Sequence, residues 1–139
     1  TRKTSGYSGT PLAKKLGIDE KTLVVTVNAP KDYAKLVAPI PKGARIATTA
    51  PTHPAFVHLF ATSRAILATR LVVLRQRLTH DGTVWVSWPK KASKVETDIT
   101  EDAIRAVALP LGFVDVKVCA VDEVWSGLKL VIRKELRGK

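Results

Sequence analysis

The sequence predicts a three-layer α/β fold, in which helices cover both faces of a mostly parallel sheet that ends in an antiparallel hairpin. Short, nearly continuous apolar runs, typical of strands buried on both faces, alternate with helical patterns along the chain. This alternation indicates parallel strands joined by right-handed crossovers. Two alternating runs close the chain around a short turn, which predicts the hairpin. The length of 139 residues suits a single domain over 1–139.

The composition favours an acidic partner. Lys and Arg number 23 against 12 Asp and Glu, giving a net charge of +11, and such an excess attracts nucleic acid, nucleotides or anionic lipid. The alternative is a basic surface that serves solubility alone. No apolar run approaches the roughly 20 residues that span a bilayer, and no apolar segment follows the basic residues at the start. With a lone Cys119, which cannot close an internal disulfide, we expect a cytoplasmic protein.

Three apolar runs predict the parallel strands: Thr22 to Asn28, Ala55 to Ala61, and Thr83 to Trp88. Ala44 to Thr48 is a weaker strand candidate. The connection of Thr49 to Pro54 is much shorter than a crossover that contains a helix. Either the chain crosses the sheet in an extended segment, or the weaker strand is antiparallel or marginal.

Two longer helices are predicted between the strands, and one short helix is predicted before the first strand. One begins near Ser63 and carries a leucine stripe at helical spacing, and another follows Thr100 as N-cap with acidic residues in its first turn. A short helix is predicted from Thr10 as N-cap and Pro11 as first helical residue to a stop at Gly17. The stripe consists of Leu67, Leu71, Leu74 and Leu78, and the apolar face after Thr100 consists of Ile104, Val107, Ala108 and Leu111.

The hairpin is predicted from Val114 to Val121 and from Leu128 to Lys134, two runs that alternate apolar and polar residues. The segment Asp122 to Gly127 joins them. The last strand should therefore run antiparallel to its neighbours.

This layout resembles the second half of S-adenosylmethionine-dependent methyltransferases, including the Leu78 helix end and Asp81-Gly82 turn before a strand. Three stretches are also similar to those of a bacterial family of small domains of unknown function: Gly6 to Leu12, Trp85 to Lys91, and Asp122 to Lys129. The resemblance implies a truncated, methyltransferase-like (Rossmann-like) fold and brings no established activity.

Two elements that would hold a nucleotide cofactor are missing from the sequence. The loop after the first strand, 28–33, contains no glycine, and Pro30 removes a backbone donor. The second-strand segment, Ala44 to Thr49, lacks the acidic residue that usually holds a ribose. We therefore expect no cofactor.

The predicted site lies beyond the carboxyl ends of the parallel strands, where open α/β sheets bind ligands. There the helix that begins near Ser63 offers free N–H groups to an anion. Lysines could neutralise a phosphate, and two tryptophans could pack against a flat group. The candidate ligand-binding residues are Asn28, Lys31, Ser63, Arg64, Trp88, Lys90, Lys91, Asp122 and Trp125.

Conventional catalytic sets are not evident. The histidines lack the spacing and companion ligands of a metal site. His58 falls inside a central strand and is interpreted as a core residue, and His80 lies in a turn at the opposite sheet edge. Cys119 is expected to be a buried, inert thiol.

These observations predict a non-catalytic binding domain for an anionic, phosphate-bearing ligand, either a small molecule or nucleic acid. One alternative is an enzyme: a divergent methyltransferase, or one that uses Asp122 or Glu123 as acid or base. Another is a basic scaffold or nucleic-acid-associated protein. The sequence leaves the ligand and the oligomeric state open.

Overall fold

The computed structural model describes residues 11–138. Within this range the helices are α1 (Leu12–Leu16), α2 (Tyr33–Val37), α3 (Arg64–Arg77) and α4 (Glu101–Leu111). The strands are β1 (Leu23–Val27), β2 (Arg45–Ala47), β3 (Phe56–Phe60), β4 (Thr83–Pro89), β5 (Phe113–Ala120) and β6 (Trp125–Ile132). Short 3-10 turns follow β4 at Lys91–Ser93 and β6 at Lys134–Leu136.

The six strands form one sheet in the order β2-β1-β3-β4-β6-β5. Strands β1 to β4 are mutually parallel, whereas β6 runs antiparallel to both β4 and β5. The predicted α/β class, with a parallel sheet that ends in an antiparallel hairpin, is therefore confirmed.

The weak strand candidate forms β2, which pairs parallel to β1 at the sheet edge, with Leu23 opposite Arg45. The chain then passes to β3 on the other side of β1 without a helix. Of the two alternatives for this short connection, an antiparallel β2 is wrong, and the chain crosses without a helix, through bends at 48–49 and 52–53. Parallel β2 requires this crossing because β3 must start again at the amino edge of the sheet.

Helices cover both faces of the sheet. On one face, α3 and α4 pack over the strand side that carries Val57 and Val86. On the other, α1 and α2 pack over the side that carries Phe60 and Trp85. The predicted leucine stripe is buried, including Leu78 just beyond the end of α3. No helix within residues 11–138 is long and apolar enough to cross a membrane.

The predicted helix ends are mostly confirmed. Thr100 accepts a hydrogen bond from Ala103 N at 3.0 Å, and Gly17 and Gly112 end their helices in the left-handed conformation. Pro11 was expected to be the first helical residue but precedes α1 in an extended conformation, with ψ at 144°. Thr10, its proposed N-cap, and most of the stretch from Gly6 to Leu12 lie outside the described residues.

The hairpin turn is tighter than the sequence predicts. Asp122 Oδ1 accepts hydrogen bonds from Val124 N and Trp125 N, both at 2.8 Å. This local turn lets β6 begin at Trp125, three residues before the predicted start at Leu128.

Candidate functional site

The structure places the hairpin turn beside the carboxyl end of β4, as the sequence predicted. Lys90 N donates to Val124 O at 2.7 Å, and Pro89 is paired with Trp125. Lys91 follows in the 3-10 turn and is exposed. The predicted residues of β4 and of the hairpin are therefore neighbours.

The two tryptophans of this edge lie on opposite faces of the sheet. Trp88 is paired with Ser126, so these two side chains lie on the same face of the sheet. Trp125 is adjacent to Ser126 in β6, and its side chain therefore points to the other face. Trp88 is only 8% exposed and packs in the core beneath α3 and α4. Trp125 packs edge-on against Phe60, with ring centroids 5.0 Å apart. They cannot form one stacking platform.

The amino end of α3, predicted to attract a ligand anion, already has a carboxylate from this chain. Arg64 N donates to Asp98 Oδ1 at 2.8 Å, and Ile66 N donates to Ser63 Oγ at 3.4 Å. The Arg64 side chain itself is exposed. Because Asp98 satisfies this helix end, a ligand phosphate would have to displace it or meet its negative charge.

Asp122 is also committed to local structure. Both backbone N–H groups that it accepts belong to the hairpin turn. This geometry explains Asp122 as a turn-forming residue.

An open pocket of about 880 Å³ lies nearby, at the carboxyl ends of β1 and β2. It extends from the loop after β1 to α3, and it contains two of the nine predicted residues, Asn28 and Lys31. Thr48 and Thr49, which follow β2, contribute hydroxyl groups. The pocket thus begins at the expected edge of the sheet, displaced from β4 toward β1, and runs along α3 to Pro54 and Arg77 at the opposite edge, where β3 begins and α3 ends.

The charge of this pocket has one sign. Lys31, Arg70 and Arg77 line it, and among residues 11–138 no acidic residue lines it. Apolar side chains form much of the remaining wall, including Val25 and Val73. Such a cavity suits a ligand with an anionic group and an apolar or flat body.

The loop after β1 makes its turn without the glycine that the sequence lacks. Asn28 has φ at 60°, in the left-handed region, which asparagine tolerates better than most residues. The chain can therefore bend sharply around the pocket even though 28–33 contains no glycine.

The sequence-based prediction missed Arg70 and Arg77, although a signal for them was present. These residues recur at i and i+7 on α3, beside Val73 and Leu74. Because the connection after β2 is too short for a helix, this side of α3 is open to the pocket. The short connection together with the helical spacing could have identified both arginines.

A buried polar chain lies under the pocket, on the face covered by α2. His58 is fully buried, with Nδ1 2.8 Å from Tyr33 Oη and Nε2 2.7 Å from Ser87 Oγ. Its ring stacks on Phe60, with centroids 4.3 Å apart. Burial lowers the pKa of His58 to about 3 and raises that of Tyr33. The structure thus confirms a core histidine and adds two partners from distant segments.

The other catalytic candidates have structural explanations. His53 Nδ1 lies 3.1 Å from Arg77 O, and His80 Nδ1 accepts a hydrogen bond from Gly138 N at 2.8 Å. Cys119 was expected to be buried but is half-buried, and this partial burial raises the pKa of its thiol. Across residues 11–138, no group of three or more His, Cys, Asp and Glu side chains could hold a metal ion.

Comparison with known proteins found a relationship in structure alone. No family model matches the sequence, and a comparison with curated proteins also found no match. A provisionally assigned type 11 methyltransferase from Sulfolobus solfataricus superimposes with a TM-score of 0.60 and 10% identity, over 94% of both chains. This chain has a methyltransferase-like Rossmann fold.

Two further solved structures agree. The B. subtilis tRNA methyltransferase TrmK gives a TM-score of 0.56 at 10% identity, over 91% of this chain and 67% of its own. The fibrillarin pre-rRNA processing protein of Methanococcus jannaschii gives 0.55 at 8% identity, over 90% and 70%. Identities this low establish a common architecture, and the activity has to be argued from the site.

Proposed function

We propose that this chain is a non-catalytic binding domain for a small, phosphate-bearing ligand, held in the pocket that runs from the carboxyl end of β1 along α3. The observation that carries the proposal is the lining of this pocket, with Lys31, Arg70 and Arg77 and no carboxylate. Three cations that share one cavity repel one another unless an anion enters. A bound phosphate would offset that repulsion and accept charge-assisted hydrogen bonds.

Arginine suits this role better than lysine alone would. The guanidinium groups of Arg70 and Arg77 present planar forks of N–H donors that match two phosphate oxygens. Within residues 11–138 neither arginine forms an ion pair with an acidic side chain. Their charges therefore remain available to a ligand.

The apolar wall supports a ligand with more than a phosphate. Val25, Val27 and Val73 line the same cavity, together with Ile46. Burying a flat or aliphatic group against them would contribute about 25 cal/mol for each Å² of apolar surface removed from water. A nucleotide has the required combination of a flat base and an anionic tail.

S-adenosylmethionine, the methyl donor implied by the fold, fits this pocket poorly. The second strand is followed by Thr48 and Thr49, which cannot replace the acidic residue that usually holds a ribose. The donor also carries a positively charged sulfonium, which Arg70 and Arg77 would repel. The fold is thus that of methyltransferases, but the residues that line the pocket disfavour binding of S-adenosylmethionine.

Calorimetric titration with ADP tests the proposal, with uncharged adenosine as the matched ligand. We expect ADP to bind and adenosine to bind at least about tenfold more weakly, since hydrogen bonds to charged groups contribute roughly 1.5–3 kcal/mol. The double variant Arg70→Gln/Arg77→Gln should weaken ADP binding by about tenfold or more on the same grounds.

The control variant Arg64→Gln/Lys91→Gln removes the same charge from the edge that the sequence predicted, outside the pocket. We expect its affinity for ADP to remain within about twofold of the unmodified chain, because its side chains do not line the cavity. Equal losses in the two variants would contradict the pocket assignment. Binding of S-adenosylmethionine in preference to ADP would favour the methyltransferase alternative.

A further inference from the structure

The hairpin places two lysines directly opposite each other on one face of the sheet. Lys117 of β5 is paired with Lys129 of β6. Directly opposite residues of an antiparallel pair have Cβ atoms about 4.5–5.5 Å apart, and like charges at such positions are destabilising. The pair therefore opposes folding unless another group compensates its charge.

A third lysine joins this pair. Lys117 Nζ donates to the backbone oxygen of Lys15, the penultimate residue of α1, at 3.2 Å. The charges of Lys15 and Lys117 both act on the thiol of Cys119 and oppose the rise in its pKa that burial causes. Lys15, Lys117 and Lys129 together are called the lysine cluster below.

A β-bulge removes the nearest carboxylate in the sequence from this cluster. The register shifts between Asp115 and Lys117, so Asp115 is paired with Leu130 on the opposite face. There its Oδ2 accepts a hydrogen bond from Arg105 Nε at 2.9 Å. Strict alternation would have placed Asp115 and Lys117 on one face, where their charges could offset each other.

In the described part of the chain, no other carboxylate forms an ion pair with the cluster. Among the described residues, the ion pairs to acidic side chains use Arg105 and Arg133, and none uses a lysine of the cluster. Lys117 is exposed, and Lys15 and Lys129 are half-buried. Three neighbouring positive charges therefore have no acidic partner among residues 11–138.

We propose that the lysine cluster binds the phosphodiester backbone of a nucleic acid. Its lysines belong to α1, β5 and β6 and do not line the pocket near β1 and β2, so this surface is separate from the small-ligand site. Cations spread over two strands and a helix match a polyanion with repeated phosphates better than a compact ligand. The net charge of +11 adds long-range attraction.

We expect this binding to be independent of the base sequence of the nucleic acid. Lysine is a compact point charge that contacts phosphate and brings no fixed pattern of base-reading donors. Each contact should release counterions, so the logarithm of affinity should fall linearly with the logarithm of salt concentration. For a single strand the slope is about −0.7 for each phosphate neutralised, so three lysines contribute about −2.

Fluorescence anisotropy with a labelled 20-nucleotide single-stranded RNA, titrated at several salt concentrations, tests the proposal. Lys15→Gln/Lys117→Gln/Lys129→Gln should weaken binding about tenfold or more at low salt and make the slope shallower by about 2. The control variant Lys42→Gln/Lys94→Gln/Lys134→Gln has the same net charge as the cluster variant, but it alters exposed lysines outside the lysine cluster. It should retain the slope.

Replacement by arginine separates charge from folding. Lys15→Arg/Lys117→Arg/Lys129→Arg should retain RNA binding, because it keeps all three charges, and circular dichroism should report a folded chain. The proposal is overturned if the glutamine cluster variant binds RNA with the unmodified affinity and slope, or if both glutamine variants lose equal affinity. It is also overturned if the chain binds phosphatidylserine vesicles but not RNA.

Discussion

Acidification below neutral pH should destabilise this protein through His58. The side chain is fully buried in β3 between Tyr33 and Ser87, which satisfy both ring nitrogens of a neutral imidazole. Burial lowers its pKa from the ordinary 6.5 to about 3. Unfolding exposes the ring to water and restores an ordinary pKa near 6.5.

The sign follows from proton uptake. Between pH 6.5 and pH 3 the unfolded chain binds a proton at this imidazole that the folded protein does not bind, so stability falls as pH falls. The loss approaches about 1.4 kcal/mol per pH unit, or about 2 kcal/mol between pH 7.5 and pH 5. At pH 5 this magnitude depends on the unfolded pKa alone, because His58 is still neutral in the folded state.

Urea denaturation at pH 7.5, 6 and 5, followed by tryptophan fluorescence, measures this dependence. The window stops at pH 5 because Asp115, whose pKa is lowered by its hydrogen bond to Arg105, loses its contribution only at lower pH. The variant His58→Gln keeps a donor and an acceptor but cannot titrate. It should be less stable at pH 7.5 and should lose most of the slope between pH 7.5 and pH 5.

Two results would refute this reasoning. A loss below about 0.5 kcal/mol in the unmodified chain between pH 7.5 and pH 5 would mean that folding does not suppress protonation of His58. An unchanged slope in His58→Gln would assign the dependence to another group.

Two further predictions concern α3. Leu71 is fully buried, whereas its neighbour Val72 is 43% exposed. In urea denaturation, Leu71→Ala should therefore lower the free energy of unfolding by about 2–5 kcal/mol, and Val72→Ala by less than about 1 kcal/mol. Similar losses in the two variants would mean that the buried face of α3 is misassigned. Asp98→Ala should cost about 1 kcal/mol because it removes the carboxylate that accepts from the first turn of α3. Thermal unfolding against the exposed neighbour variant Glu96→Ala checks this, and equal stability of the two variants would contradict the capping role.

The strands and helices that could be predicted from the sequence are those in which the spacing of apolar residues within the element shows which side chains are buried. The run Ala55 to Ala61 contains β3, every residue of which is buried, and the leucine stripe contains the core face of α3. The five-residue α2 lacks such a pattern and depends on packing of Tyr33 against the sheet. The β-bulge after Asp115 could not be predicted from the sequence either, because simple alternation places the Asp115 side chain on the same face as Lys117.

The site was harder to predict because its contacts join distant segments. Of the nine residues predicted from the sequence, two line the pocket, Asn28 and Lys31. Sequence reasoning could not show that Asp98, thirty-four residues away, caps the helix at Arg64. It also assigned both tryptophans to one ligand site, although strand pairing places Trp88 and Trp125 on opposite faces.

The connection after β2 links the altered fold to the proposed ligand. A crossover helix in that place would pack on the β1 face that carries Val25 and Val27, beside α3. The crossing contains no helix and leaves that space open, so Arg70 and Arg77 line a cavity instead of a helix interface. The same edge lacks the ribose-binding carboxylate, so the main remaining source of selectivity is cationic. The negative charge of a ligand, more than its sugar, should therefore decide whether it binds.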